Sequence, residues 1–279
     1  SNLFRSDLRI MVTDMTLPSF KSPPLVEVAL GVQFDKLEKL QGPQIGKLWA
    51  RFQEEFPKLA EQPPLEPIIE RFGVANPAGS GEFTLQMDVG YKSPRWWFIA
   101  DDDGELIQIQ KDRLLHNWRK SPRGGVYPRY EHIRGKFESE LVDAADFLQN
   151  DGIGAMKPNQ CEVSYFNQII TGEHEHDHSH ASRVFSILND ASPLLNGVLP
   201  EDLGLLSGYL MTDPTGTPRG RLTVQISPAF RSSDDKPLWI MSLTARGAPF
   251  SPYLKGILDF LDRGRAAIVT TFTAMTTVA

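Results

Sequence analysis

The clearest structural signal in this chain lies in the nine residues Val26-Glu27-Val28-Ala29-Leu30-Gly31-Val32-Gln33-Phe34. Apolar side chains alternate there with small or polar ones, and this period of two predicts a β-strand with one buried face. A second strand of this kind is predicted over residues 161–170, after Pro158. We therefore expect two sheet-forming segments, each opened by such a strand.

Short segments of the first half match segments of the second half in the same order. Residues 26–28 match 161–163, residues 81–87 match 220–226, and Pro94-Arg95-Trp96 matches Pro237-Leu238-Trp239. The offset grows from 135 to 139 and then 143, so the order is kept while loop lengths differ. A repeat of this length predicts an internal duplication of a domain rather than a solenoid.

Each half is predicted to contain a strand, a helix, an antiparallel meander and a long helix. In the first half, a helix begins at Gly42-Pro43, strands are expected over 68–74, 82–89, 95–100 and 105–110, and a second helix follows residue 128. In the second half, a helix is expected over 180–189, strands over 204–212, 220–230 and 237–246, and a last helix from Ser251-Pro252 towards Met275. The order predicts an α+β fold whose long helices pack on one face of the sheet or sheets.

The predicted organisation is a tail over residues 1–21, a first α+β half over 22–152 and a second over 153–279. The two sheets could join edge to edge into one joint domain. Two independent domains divided near residues 150–158 are the alternative, because Asn150-Asp151-Gly152 and Pro158 are typical of a linker.

Composition limits the classes of protein that this chain can belong to. The formal net charge of −6 disfavours wholesale nonspecific binding to DNA or to a membrane. The single cysteine, Cys161, excludes an internal disulfide and predicts a cytoplasmic location with Cys161 in the core. No apolar run approaches the ~20 residues that span a bilayer, so no membrane partner is predicted.

Residues 111–136 form a basic stretch in this acidic chain. Eight lysines and arginines stand there against Asp112 and Glu131. Basic groups interleaved with aromatic rings suit phosphate contacts and stacking, so we predict a surface for a nucleotide, a nucleic acid or an acidic protein partner. The predicted ligand-binding residues are Arg113, Trp118, Arg119, Lys120, Arg123, Tyr127 and Arg129. The alternative is a solvated set of charges that protects a sheet edge from aggregation.

A second stretch, Glu173-His174-Glu175-His176-Asp177-His178-Ser179-His180, holds four of the six histidines. In an extended chain, His174, His176, His178 and His180 would share one face and could supply ligands for Zn or Ni. A metal-binding protein or metal-dependent hydrolase follows from this interpretation. The alternative is a solvated loop that binds metal adventitiously and leads into a helix capped by Ser179. The histidines could also make the loop a pH sensor.

Signals for catalysis are weak. Glu27 and Glu162 occupy matching places in the repeat and could meet as an acid–base pair. A paired CxxC motif is excluded by the single cysteine. An enzyme is therefore the less favoured prediction.

Three short motifs carry a family resemblance: Pro23-Pro24-Leu25-Val26-Glu27-Val28, Cys161-Glu162-Val163-Ser164-Tyr165-Phe166-Asn167 and Phe272-Thr273-Ala274-Met275-Thr276-Thr277. Over about residues 22–277 the chain resembles a family of uncharacterised prokaryotic proteins that are sporadically distributed. The resemblance implies a prokaryotic accessory protein, with a role in defence or in a toxin–antitoxin pair as one interpretation. It implies no activity, cofactor or catalytic residue.

The leading functional prediction is a cytoplasmic binding or regulatory protein that engages an anionic ligand or macromolecular partner through the basic stretch. The metal-dependent alternative rests on the histidine tract. A third alternative is a small-molecule sensor with a cleft between the halves, since paired halves often form such clefts. The sequence leaves a homo-oligomer open.

Overall fold

The computed structural model describes residues 17–73, 93–170, 178, 180–190, 197–198 and 201–277. The strands are Leu25–Phe34 (β1), Lys58–Gln62 (β2), Arg95–Ile99 (β3), Glu105–Gln110 (β4), Arg113–Arg119 (β5), Pro158–Ile170 (β6), Leu205–Thr212 (β7), Pro218–Phe230 (β8) and Pro237–Gly247 (β9). The α-helices are Gly42–Phe52 (α1), Tyr130–Asn150 (α2) and Leu254–Met275 (α3), and Ala181–Arg183 forms a short 3-10 helix.

The nine strands form one antiparallel sheet in the order β2-β3-β4-β5-β1-β6-β9-β8-β7. The strands β1 and β6 are neighbours at its centre, where Ala29 lies opposite Ser164. One continuous sheet therefore runs through both segments, and the connection between α2 and β6 contains the predicted division at residue 152. The predicted α+β class is confirmed, with the sheet as the dominant part of the fold.

The alternation in β1 separates two faces of the sheet. Leu30 is fully buried and is the register partner of both His116 on β5 and Val163 on β6. Helix α2 contacts β5 and β1, and α3 contacts β6, β9 and β8. Gly264 of α3 packs directly against Val163. We call the face of the sheet that carries Leu30, His116 and Val163 the apolar face, and the opposite one the polar face.

The long helices form where apolar residues recur at spacings of three and four. In α3 these include Ile268, Phe272 and Met275, which are buried as expected for a last helix that packs on the core. In the part of the chain that the structure describes, no helix has an apolar stretch long enough to cross a bilayer.

Two strands were not predicted, β2 and β5. The residues of β5 were interpreted as part of the basic stretch. All but the last of its seven residues are buried, because α2 covers one side and residues of the polar face cover the other. Leu115 lies on its polar face and His116 on its apolar face, so the alternation of apolar and polar residues is broken in this strand.

The predictions over 68–74 and 180–189 were wrong where residues are described. Residues 68–73 form no strand, and instead cross the polar face, held by side chains described below. Residues 181–183 form only a 3-10 turn, and the backbone N–H of Ser182 donates to Asp190 Oδ1 rather than continuing a helix. The strand predicted over 82–89 lies outside the described residues.

The matched segments at 94–96 and 237–239 occupy non-equivalent places in the sheet. Strand β3 is separated from β1 by β4 and β5, whereas β9 is the direct neighbour of β6. The other match involves residues 81–87, which lie outside the described part of the chain. The internal duplication therefore stays a prediction.

Candidate functional site

The polar face carries an unusual density of amide and guanidinium groups. Gln33, Gln108, Gln110, Arg113, Asn117 and Gln160 are buried there although they are polar. Buried polar groups require hydrogen-bond partners, so their bonds identify what this face holds.

The first partner is the backbone of residues 63–73, which we call the crossing segment. Gln110 Nε2 donates to the carbonyl oxygen of Leu65 and Gln110 Oε1 accepts from the Leu65 N–H, both at 2.9 Å. Gln33 Oε1 accepts from the Ile68 N–H at 2.9 Å. The crossing segment thus runs over β4 and β1 with its backbone satisfied by side chains of the sheet.

Three arginine side chains complete the attachment of the crossing segment, through hydrogen bonds and ion pairs. Arg113 donates to Gln33 Oε1 at 3.0 Å and to the carbonyl oxygen of Glu66 at 2.8 Å. The carboxylate of Glu70 is almost fully buried and lies 2.9 Å from Arg221 Nε and 3.7 Å from Arg246 Nη1. Arg113, a predicted ligand-binding residue, therefore holds the crossing segment.

A cavity of about 20 Å³ lies beneath the crossing segment, between Arg113, Glu162 and Arg246. This volume accommodates about one water molecule. The cavity is too small to serve as a ligand site.

A second set of bonds crosses four strands beside the crossing segment. Gln108 Oε1 accepts from Arg95 Nη1 at 2.7 Å and from Trp97 Nε1 at 3.1 Å. Gln108 Nε2 donates to Asn117 Oδ1 at 2.6 Å, and Asn117 Nδ2 donates to Glu27 Oε1 at 2.5 Å. The chain of bonds runs from a cation on β3 to a carboxylate on β1, which sets the orientation of both amides. We call these five residues the amide relay.

At the cationic end of the amide relay, two arginines lie against one indole. The Cζ atoms of Arg95 and Arg119 are 5.5 and 5.3 Å from the centre of the Trp97 ring. Arg95 lies on β3, the strand that carries Trp97, whereas Arg119 reaches the same ring from β5. Cation–π contacts of this kind hold a guanidinium group in place without consuming its N–H donors.

Neither of these arginines is paired with a carboxylate in the part of the chain that the structure describes. Glu27, the register partner of Arg119, accepts instead from Asn117. The Nε of Arg95 is buried without a hydrogen-bond partner among the described residues. Burial, followed by the nearby charge of Arg113, lowers the pKa of Arg95. Two partly desolvated cations on one ring form an arrangement suited to an anion.

The structure spreads the other predicted ligand-binding residues over several surroundings. Trp118 is buried on the apolar face, where its ring lies 5.1 Å from that of Tyr127. Arg123 pairs with Asp103, and Lys120 is exposed after the end of β5. Arg129 Nη1 donates to the carbonyl oxygen of Phe20 at 2.9 Å and its guanidinium lies over Tyr127. Of the predicted set, Arg119 alone joins Arg95 and Trp97.

Two of the four predicted metal ligands, His174 and His176, lie outside the described residues. His178 is buried, and its Nε2 donates to the carbonyl oxygen of Leu238 at 3.0 Å. Its ring packs edge to face on Trp239 at 4.9 Å and on Phe230 at 5.2 Å. His180 is exposed. Among the described residues, no three His, Cys, Asp or Glu side chains are grouped to hold a metal ion.

The two glutamates that the repeat pairs do not meet. Glu27 lies opposite Phe166, whereas Glu162 lies opposite Gly31, four residues further along the strand pair. Four residues of strand correspond to about 13 Å. Glu162 instead pairs with Arg246, so Glu27 and Glu162 do not form the predicted acid–base pair.

A buried acid–histidine pair lies on the apolar face, which the sequence did not single out. His116 Nδ1 is 2.9 Å from both carboxylate oxygens of Glu140. Although burial favours the neutral imidazole, the charge and hydrogen bond of Glu140 raise the pKa of His116. Burial raises the pKa of Glu140. Both side chains are buried, so we interpret the pair as a structural element rather than a reactive one.

An open cavity of about 770 Å³ borders this pair, between the end of α1 and helix α2. Its charged lining is largely engaged in internal contacts: Lys136 bonds both Glu55 and Glu105, and His132 Nε2 is 3.2 Å from Glu105. These contacts leave the Arg95–Trp97–Arg119 cluster as the stronger candidate site.

Sequence reasoning missed Arg95, Trp97 and Gln108. The one available signal was the alternation of Arg95 and Trp97 on the same side of a predicted strand. Cys161, by contrast, lies in the core as predicted, and burial raises its pKa to about 12.

No family model matches the chain, and no curated protein matches its sequence. The resemblance to sporadically distributed prokaryotic proteins therefore stays a prediction.

Proposed function

We propose that this protein binds an anionic ligand on the polar face of its sheet, through Arg95, Trp97 and Arg119. The observation that carries the proposal is the contact of both guanidinium groups with one indole, with no carboxylate partner among the described residues. The role is that of a binding or regulatory protein rather than of an enzyme.

Other arginines of the protein are neutralised by carboxylates, whereas Arg95 and Arg119 are not paired with one among the described residues. Arg134 pairs with Asp262, Arg221 with Glu70 and Arg246 with Glu162. In a chain of net charge −6, cations that lack such partners retain their capacity for an external anion. A phosphate or carboxylate group that accepts from both guanidinium groups would make charge-assisted hydrogen bonds.

The geometry favours binding through preorganisation. Gln108 holds Arg95 and Trp97 by two bonds to one oxygen atom, and Asn117 holds Gln108. A ligand that meets cations already ordered in this way loses less conformational entropy on binding.

The proposed site retains part of the basic surface predicted from the sequence and replaces the rest. Arg119 belongs to both, whereas Arg113 and Trp118 have structural roles. The ligand class remains the predicted one, an anion. A cytoplasmic location and a prokaryotic origin remain predictions.

We also propose that the two halves arose by duplication, with equivalences that keep the match of residues 26–28 to 161–163 and replace that of residues 94–96 to 237–239. About the central pair Ala29–Ser164, Glu27 lies opposite Arg119 on one side and Glu162 lies opposite Arg246 on the other. This arrangement makes β5 the counterpart of β9. One of the two equivalent arginines, Arg246, is then neutralised internally, and the other remains for a ligand.

The test is thermal unfolding of the untagged protein with added inorganic pyrophosphate and, separately, citrate. A ligand that binds only the folded state raises the melting temperature by about 5 °C at about a hundredfold excess over its Kd. The double variant R95Q/R119Q should lose this rise.

The matched control is R51Q/R129Q, which removes two charges from arginines that also lie over aromatic rings, Phe147 and Tyr127. The control should keep the full rise in melting temperature. An equal loss in both double variants, or no rise in the unaltered protein with either anion, would contradict the proposal. A response to pyrophosphate alone would assign the site to phosphates, and a response to both to anions in general.

A further inference from the structure

Among the described strands, β7 lies at one edge of the sheet and has no charged residue or proline of its own. It is the last strand of the sheet, and among the nine named strands none pairs with its outer edge. Its sequence, Leu-Leu-Ser-Gly-Tyr-Leu-Met-Thr over Leu205–Thr212, contains no charge and no proline. The opposite edge strand, β2, carries Lys58 and Glu61. Soluble proteins usually protect sheet edges with charges, proline or bulges, because free edges pair with other strands.

The exposed side chains of β7 are apolar and are spaced symmetrically. Leu206 and Leu210 are 53% and 52% exposed, on the polar face of the sheet. Gly208 lies midway between them and is exposed too. Tyr209 is 44% exposed on the other face. The strand therefore presents two leucines at equal distances from a central glycine.

We propose that β7 pairs antiparallel with β7 of a second copy of this chain, about a twofold axis through Gly208. In this register, Leu206 of each copy lies opposite Leu210 of the other, which gives two equivalent leucine pairs on one face of the joined sheet. Apolar cross-strand pairs stabilise antiparallel strands, and a twofold interface requires such a self-complementary patch. Strand β7 is therefore complementary to a second copy of itself, which favours self-association over the binding of an unrelated peptide.

The uncharged edge also suits a partner of the same charge. Each copy carries a net charge of −6, and β7 brings no like charges into contact. A Cβ built at Gly208 meets nothing nearer than the Arg221 side chain at 3.7 Å, so a cysteine can be introduced at this position without a clash. A single strand pair buries less than the ~1,200 Å² of a standard interface, so association depends on concentration.

Sedimentation velocity over a wide concentration range tests the dimer. We expect the unaltered protein to shift from monomer to dimer as concentration rises. The variant L206K/L210K places like charges opposite one another at both pairs, and its dimer Kd should rise at least about tenfold. The control L59K/V142K adds the same charge at exposed apolar positions of β2 and α2 and should dimerise normally.

Disulfide trapping tests the register. Residues that face each other in an antiparallel pair have Cα atoms about 4.5–5.5 Å apart, which suits a disulfide. G208C should therefore form a covalent dimer on oxidation, whereas L210C, away from the axis, should not. The native Cys161 is buried and should not interfere.

A monomer at every concentration, with no trapped G208C dimer, would overturn the proposal. So would a dimer that L206K/L210K leaves unchanged, or one that L210C traps better than G208C. These outcomes are independent of the anion site, since none of the variants touches Arg95, Trp97 or Arg119.

Discussion

The Nδ1 atom of His116 lies 2.9 Å from both carboxylate oxygens of Glu140, and both side chains are buried between β5 and α2. This contact joins a strand near the centre of the sheet to a long helix by a polar interaction within an apolar core. Removal of one partner leaves the other buried without its bond, which is costly, whereas removal of both can be nearly neutral.

We predict that E140L lowers the free energy of unfolding by about 3 kcal/mol, because His116 loses its partner. The double variant H116L/E140L should be at least about 1.5 kcal/mol more stable than E140L. Urea denaturation of the three proteins measures both differences. A double variant as unstable as E140L would show that the pair contributes through its shape rather than through its charges.

The same pair predicts how stability depends on pH. The pKa values of His116 and Glu140 are both raised in the folded protein, from 6.5 and 4.5 respectively. A raised pKa means that the folded state holds protons which the unfolded state releases. The contribution of His116 is therefore fully present below pH 6.5 and is lost as pH rises through its raised pKa. The contribution of Glu140 to stability is fully present below pH 4.5 and is likewise lost as pH rises through its raised pKa.

Urea denaturation between about pH 5 and about pH 9 should show this loss as a falling difference in stability between the unaltered protein and H116L/E140L. A difference that grows with pH would mean that the carboxylate and the neutral imidazole are the favoured folded forms.

The amide relay predicts an unequal response to two Gln-to-Leu substitutions. Gln108 is buried and its side chain makes three hydrogen bonds, so Q108L should cost about 2 kcal/mol by leaving Asn117 and Trp97 unsatisfied. Gln225 is exposed and bonds Ser227 at 3.3 Å, so Q225L should change stability by less than about 0.5 kcal/mol. Equal costs in urea denaturation would contradict the relay.

Two Gly-to-Ala substitutions should have opposite signs. A Cβ at Gly247 would lie 2.3 Å from the carbonyl oxygen of Arg219 and 2.7 Å from the Cα of Gly220, so G247A must push β8 and β9 apart. We expect a loss of about 3 kcal/mol. Gly46 is exposed within α1 with nothing within 4 Å, so G46A should stabilise by about 0.5–1 kcal/mol. Thermal unfolding checks both signs, and a stabilising G247A would refute the close contact.

The strands and helices that sequence reasoning found are those whose apolar residues recur with the period of a strand or of a helix. β1, β6, β8 and β9 alternate because one of their sides faces the helices, and α2 and α3 carry a stripe at helical spacing. Such periodicity is local and can be read without knowledge of the fold. The strand β5 was missed because Leu115 lies on its polar face and His116 on its apolar face, which breaks the alternation.

The candidate site was only partly predictable, because it depends on which strands are neighbours. Arg95 and Arg119 are 24 residues apart in the chain and meet at Trp97 only through the order β3-β4-β5. The basic stretch predicted Arg119 as a ligand-binding residue. Charge density along the chain could not distinguish Arg119 from Arg113, which is buried beneath the crossing segment.

The sequence by itself determined the α+β class, the alternating strands and the long helices, because these follow from the local spacing of apolar side chains. The tertiary structure decided which polar groups are paired. Glu27 and Glu162 were separated, and His116 was joined to Glu140. Arg95 and Arg119 were left without carboxylate partners among the described residues. These outcomes depend on strand order and register, which arise from contacts between distant parts of the chain and leave no periodic signal in it.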